Sequence, residues 1–400
     1  MNSPARVLIV ETQSEPGGMW HYASSLARAL MEAGLDVTLA TMDPFETLED
    51  HTGIRIRSLG SAAQPSFRPF HWLRRGLGQV QRWSRLRQII NEVRPDIVHI
   101  HNLLGKFDFL GIRYLRTVGI PVVLTAHDPK PDTGLTAFDW ARYRTANAII
   151  VHSVNGIDDL ASGGINVERI TRVHHGNYLH FCPGSDLSPD EARRSLGLQS
   201  TDRIILFFGT ILPYKGLDIL IDAFARIAAD EPDVRLIIAG EPLEDFAPYR
   251  NQIKDRGVAD RVVLDLRYIP FAELPTYFLS ADLAAFPYRR IYQSGVLQLA
   301  YGYGRAVVVT DVGGIGEIVE KDRSGLVVPP GDPTALADGI RRLFRDRVAA
   351  QEMGRRGRLA AETKYSWEAI ARDITEVYRS VCGRVSSNAR QVRASATRRS

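Results

Sequence analysis

At 400 residues the chain exceeds the roughly 250–300 over which one hydrophobic core grows, so two or three domains are expected. Its 44% hydrophobic and 24% charged residues exclude global disorder and fibrous chains, and no apolar run approaches the roughly 18 residues of a membrane span. The formal charge is only +4, and the two cysteines, Cys182 and Cys382, supply neither a disulfide framework nor zinc-ligand spacing.

The first half alternates short apolar runs with helical patterns. Arg6-Val7-Leu8-Ile9-Val10 turns straight into a polar loop, which is too short for a secretory signal, so a reducing cytoplasm is the expected compartment. Val7–Val10, Val37–Ala40, Ile97–Ile100, Val122–Thr125 and Ala148–Val151 read as buried parallel strands. Between the first two, Trp20, Ala23, Leu26, Ala27 and Leu30 mark one face of a helix. The first strand is followed by Gly17 and Gly18, where the backbone of a helix start can approach a ligand closely. The third strand ends in His101-Asn102 and the fourth in Ala126-His127-Asp128; two histidines at the carboxyl ends of neighbouring strands favour a site.

Residues 61–92 depart from this pattern. Arg68, Arg74, Arg75, Arg82, Arg85 and Arg87 are interleaved with Phe67, Phe70, Trp72 and Trp83. Such a stretch suits either a solvated arginine face on a packed helix or an anionic membrane surface met by residues 67–87. The chain has 6 Lys, so 50 − 6 leaves 44 Arg; a GC-rich genome is the plainer cause. With acids evenly mixed in and no aromatic recognition motif, nucleic acid is not an expected partner.

Asn177–Asp202 carries turn chemistry at Pro183-Gly184-Ser185-Asp186 and Ser188-Pro189-Asp190, and the boundary is expected near Cys182. Beyond it Ile204–Phe208, Leu236–Ala239, Val262–Leu264, Leu283–Phe286 and Val307–Thr310 repeat the strand pattern, and Leu217, Leu220, Ile221, Phe224, Ile227 and Ala228 mark a helix. The expected fold is α/β: two doubly wound, Rossmann-like domains facing across a cleft, residues 1–182 and 183–365. The residues that could carry chemistry gather at strand ends. Thr210 and Lys215 follow the first strand of the second half. Arg289, Arg290, Gln293, Ser294 and Gly295 follow Leu283–Phe286, joining guanidinium donors to a helix start suited to a diphosphate. Gly313, Gly314 and Glu317 follow Val307–Thr310, a glycine loop with a carboxylate for a sugar or ribose hydroxyl. No dinucleotide fingerprint, P-loop, Asp-x-Asp, His-Glu-x-x-His or Gly-x-Ser-x-Gly is present, so no metal and no bound cofactor are expected.

In their order these motifs resemble the group 1 glycosyltransferases. The resemblance rests on Phe208-Gly209-Thr210-Ile211-Leu212-Pro213-Tyr214-Lys215-Gly216, Gly304-Arg305-Ala306-Val307-Val308, Asp311-Val312-Gly313-Gly314 with Glu317, Gly325 to Asp332, and Tyr365-Ser366-Trp367-Glu368. It implies a GT-B fold and retaining, metal-independent sugar transfer from a UDP- or GDP-linked donor to a glycan, lipid-linked or small-molecule acceptor. It places Gly18 by the donor diphosphate, His127 by the transferred sugar, Lys215 on phosphate and Glu317 in the donor pocket. The backbone at Arg267-Tyr268-Ile269 would meet the base, and His101, Asn102 and Asp128 lie on the acceptor side. Residues 366–382 would return as a helix to the first domain, leaving 383–400 as a basic tail without structure. Two departures from the family pattern stand out. Thr210 replaces an arginine, and the paired glutamates are lost from Arg290-Ile291-Tyr292-Gln293-Ser294-Gly295-Val296-Leu297-Gln298, where Gln298 could still bind a ribose hydroxyl. The alternatives kept open are a catalytically altered nucleotide-sugar binder and a nucleotide-sugar epimerase.

Overall fold

A computed structural model describes residues 5–12, 18–43, 53–61, 71–101, 105–130, 134–182 and 186–397. Two compact units result: residues 1–174 with 367–400, and residues 175–366.

The first unit holds a seven-stranded parallel sheet ordered β3-β2-β1-β4-β5-β6-β7. Its strands are β1 (Arg6–Val10), β2 (Asp36–Asp43), β3 (Arg55–Ser61), β4 (Ile97–Ile100), β5 (Val122–Thr125), β6 (Ala148–Val151) and β7 (Ile170–Arg172). Runs rich in Val and Ile are buried on both faces, as a helix-covered parallel sheet demands. β3 and β7 are edge strands that the apolar pattern does not reveal. Arg55 and Arg57 alternate with Ile56 on β3, and β7 has only three residues. Helix α1 (Gly18–Glu32) covers one face, and helices α2 (His71–Val93) and α3 (Asp108–Thr117) belong to the other side.

The second unit has a six-stranded parallel sheet ordered β10-β9-β8-β11-β12-β13. It comprises β8 (Arg203–Phe208), β9 (Val234–Ala239), β10 (Val262–Asp265), β11 (Leu283–Phe286), β12 (Ala306–Thr310) and β13 (Gly325–Val328). The chain reverses its direction of winding at β8 and β11, the topological switch point beyond which open α/β sheets bind ligands.

The domain boundary lies between His174 and His175, upstream of Cys182. Asn177 explains the shift: its backbone N–H donates to Tyr365 O at 2.8 Å and its side chain to Ala361 O at 2.7 Å, while Tyr178 and Cys182 join the second unit's core. The last helix spans Trp367–Thr397 and packs Ile370, Ala371, Ile374, Val377 and Tyr378 against α1 and the first sheet. The backbone of residues 383–397, expected to lack structure, continues this helix. After Gly383 the sequence holds no Gly or Pro and is rich in Arg, Ser and Ala, so no strong helix breaker stands in it.

Replacing fully buried Ile374 by Ala should cost about 3 kcal/mol. The same measurement on Val348→Ala, at a position 78% exposed, should stay within about 0.5 kcal/mol. Urea denaturation of the two variants checks this.

Candidate functional site

In the second unit the loops after β8, β9, β11 and β12 interlock backbone to backbone. Gly240 has φ +146°, and a Cβ there would lie 2.2 Å from Gly209 O. Gly313 has φ +54°, and a Cβ would lie 1.5 Å from Ile291 O, so only glycine lets the loop after β12 seat on the loop after β11. Arg289 N donates to Tyr214 O at 2.7 Å, tying the loop after β11 to the turn after β8.

Lys215 ends the short turn Pro213–Lys215 that precedes the helix Leu217–Asp230. The sequence suggests a solvated, mobile cation; instead Lys215 is 7% exposed, and burial pushes its pKa down to about 8. Among the described residues no hydrogen bond or ion pair engages its ammonium. Its Nζ lies 3.4 Å from where a Cβ on Gly209 would stand, and Val296 of the helix Gly295–Gly302 lies 3.0 Å from the same point. A buried cation therefore sits beside a helix start. Ser294 caps that helix, its Oγ accepting from Leu297 N at 3.3 Å, and Thr210 is half-buried immediately after Gly209.

Of the two adjacent arginines, Arg289 is committed elsewhere. It forms a two-point pair with Asp218, Nη1–Oδ1 2.9 Å and Nη2–Oδ2 2.5 Å, and donates to Pro213 O. It braces the Lys215 turn. Arg290 is half-buried, its guanidinium 5.8 Å from the Tyr292 ring centroid. Gln293 and the almost fully buried Gln298 each hold a buried Oε1 with no partner among the described residues. Each is an acceptor able to take a ligand hydroxyl. Glu317, in the first turn of the helix Ile315–Asp322 after Gly314, accepts from Lys321 Nζ at 2.6 Å. Arg267 pairs with Asp265 and Glu273, and Tyr268 is half exposed. At that place only backbone groups and the phenol remain to meet a ligand.

In the first unit β4, β5 and β6 lie side by side, and His101, His127 and His152 stand just past their respective ends. His101 Nδ1 is 3.5 Å from His127 Nε2, and His127 Nδ1 is 3.1 Å from His152 Nε2. His152 Nδ1 reaches Val173 O at 2.9 Å. A carbonyl only accepts, so Nδ1 of His152 carries the proton. Burial drives the His152 pKa down to about 4, which keeps its Nε2 bare. His127 Nδ1 must then donate, and in a neutral His127 the Nε2 that faces His101 Nδ1 is an unprotonated acceptor. Below this chain, His99 spans Tyr378 Oη and Thr125 Oγ1, each at 2.7 Å, and burial followed by His152 lowers its pKa to about 3. Burial likewise holds His101 well below the usual histidine range. The Tyr22 ring stands edge-on to His127 at 4.8 Å.

The sequence reading picked out His101 and His127 but missed His99, His152, Tyr22 and Tyr378. The third strand-end histidine obeys the rule that identified the first two; the tyrosines come from distant helices. Gly18 opens α1 and Asp128 is exposed, whereas Gly17 and Asn102 fall outside the described residues. Among the described residues no group of three or more His, Cys, Asp or Glu could hold a metal ion.

Comparison with known proteins settles the family. Residues 202–346 match the family described as Glycosyl transferases group 1, and residues 16–177 match Glycosyltransferase Family 4. A D-inositol 3-phosphate glycosyltransferase of Corynebacterium urealyticum is 31% identical over 92% of this chain and 91% of its own length. The chain belongs to the group 1 glycosyltransferases. The Corynebacterium diphtheriae protein of the same name is 27% identical over 91% of this chain and 90% of its own. Among solved structures, Anabaena HepE in complex with UDP and glucose has a TM-score of 0.76 at 21% identity, covering 94% of this chain and all of its own. Sucrose-phosphate synthase from Thermosynechococcus elongatus has a TM-score of 0.75 at 21% identity, covering 94% and 99%. The fold is thus that of the GT-B glycosyltransferases, two Rossmann-like parallel-sheet domains, and the protein is a glycosyltransferase.

Acidification should weaken the first unit. His99 and His152 ionise in the unfolded chain near pH 6.5 but in the folded one only near pH 3 and 4, so the unfolded state binds more protons between these values and stability falls as pH drops through that window. Thermal melts from pH 7 to pH 4 should show the loss, and His152→Asn should flatten it. The same substitution should lower turnover about tenfold by freeing the His127 tautomer, with donor KM little changed; a steady-state kcat and KM comparison reads this out.

Proposed function

We propose that this glycosyltransferase moves a sugar from a UDP- or GDP-linked donor to a glycan, lipid-linked or small hydroxyl acceptor, with retention at the anomeric carbon and without a metal ion. The observation that carries the reading is Lys215: a buried cation, without a carboxylate beside it among the described residues, at the head of the helix Gly295–Gly302. Burying an unpaired charge is costly, and a diphosphate would relieve that cost. The binding of UDP, of UDP and glucose or of UDP-glucose by Anabaena HepE supports the same donor class.

Breaking the anomeric bond builds positive charge on the sugar and negative charge on the departing nucleotide. Lys215, Arg290 and the amides of Gly295 and Val296 would meet the leaving group, the kind of preorganised stabilisation that supplies the largest catalytic gains. The buried carbonyl oxygens of Gln293 and Gln298 would accept hydroxyls in place of the family's carboxylates. His127, with a bare Nε2, would take a hydrogen bond from a sugar hydroxyl and act as a positioning group. The acceptor would attack from the leaving-group face, its proton passing to a phosphate oxygen, since no glycosidase-like carboxylate pair is assigned. His101, Asn102 and Asp128 would lie on the acceptor side. The uncharged pair Gln293 and Gln298 favours one second reading, a nucleotide-sugar binder or epimerase on the same fold.

Purified protein with UDP- and GDP-sugars should release nucleotide equally with or without EDTA, and product NMR should show retained configuration; an epimerised donor or tight binding without turnover would favour the second reading. Lys215→Ala and Arg290→Ala should each cut turnover about 10²-fold; unchanged turnover in both would refute the phosphate cradle. Because the Lys215 pKa is lowered from 10.5 to about 8, Lys215→Met should stabilise the ligand-free protein at pH 7 by up to about 3 kcal/mol. It should also remove the gain in stability that this group gives as pH rises from 8 towards 10.5. Denaturation of the ligand-free variant and parent across that range checks both.

A further inference from the structure

Helices α2 and α3 each bury an apolar stripe, and α3 with its flanks carries a second. One is spent on the core: Leu86, Ile89 and Ile90 of α2 and Ile112 and Leu115 of α3 are buried. The other is turned outward. Phe107, Leu110, Tyr114 and Val118 recur every three or four residues along α3 and its flanks, and they are 50%, 56%, 43% and 51% exposed, with Val80 of α2 at 67%. Between the helices lies a groove of about 1280 Å³. Trp83 lines it, its indole Nε1 donating to Asp108 Oδ1 at 2.9 Å. Gly111 admits that ring, since a Cβ there would stand 2.2 Å from it.

The charged residues that line the groove are all basic. Arg6, Arg87 and Arg94 border it, and no acidic residue lines it among the described residues. Arg6 shares Asp96 at 3.3 Å, but neither Arg87 nor Arg94 has a carboxylate partner among the described residues. Arg87 instead lies 5.5 Å from the centroid of the outward Tyr114 ring. Contiguous exposed apolar surface of this kind marks an interaction site. Guanidinium groups with apolar stems beside it match an amphiphile with an anionic head. A second copy of the chain would set arginine rim against arginine rim.

We propose that the α2–α3 groove docks on an anionic lipid bilayer, taking up phospholipid acyl chain while Arg87 and Arg94 meet the headgroup phosphates. The proposal rests on the first unit alone and stands independently of the donor chemistry above. The full chain should sediment with vesicles of phosphatidylglycerol and phosphatidylcholine, and about tenfold less with phosphatidylcholine alone. Leu110→Asp and, on the facing helix, Val80→Asp should each weaken retention about tenfold, and Arg87→Glu by a similar factor. All three should keep the melting temperature and the nucleotide-sugar turnover of the parent. Failure of the parent to sediment with the anionic vesicles would overturn the proposal. So would undiminished retention of both aspartate variants, which would mean diffuse charge attraction without the groove. A dimer in gel filtration that Leu110→Asp splits would assign the groove to a second copy instead.

Discussion

A lysine ammonium held out of water, with no opposite charge beside it among the described residues, constrains the whole strand-end region of the second unit. Such a group is tolerated only where the surroundings are stiff enough to deny it an exit, and the loops after β8, β9, β11 and β12 supply that stiffness. Gly240, against Gly209 O, and Gly313, against Ile291 O, bring backbones into contact at distances no side chain permits. The Arg289–Asp218 pair fastens the turn from the far side, and being half exposed it contributes position more than energy. Under the proposed function, the unmet charge would become affinity for an anionic leaving group, and what is unfavourable without ligand would be useful once a diphosphate arrives.

The first unit solves a different problem by the same means. Four imidazoles are crowded together, and burial disfavours the charged forms of His99, His101 and His152. The Val173 carbonyl sets one proton, and that choice passes through His152 to His127. Donor and acceptor roles are thereby fixed by a backbone atom two side chains away. The other His127 tautomer would present a proton at Nε2, where the proposed function would use an acceptor.

Strands such as Ile97–Ile100 and Val307–Thr310 were legible because burial on both faces of a parallel sheet demands unbroken β-branched runs. β3 was not, since its arginines alternate with apolar residues at an edge. Glycine loops and histidines at strand ends were legible for the same topological reason, and the family resemblance followed from their order. Burial of Lys215 was hidden, because the atoms that cover it come from loops scattered along the chain. The pairing of Arg289 with Asp218, 71 residues apart, was equally invisible. The helix beyond Gly383 was missed because a basic, small-residue tail reads as unstructured by composition while each of its residues tolerates helical backbone.

The final helix, Trp367–Thr397, completes the core begun by β1 and α1. The second unit is one uninterrupted stretch, while the first is assembled from segments on both sides of it. During synthesis from the N-terminus, residues 175–366 can therefore be translated while the earlier-made sheet and α1 still wait for the helix Trp367–Thr397 to complete their core.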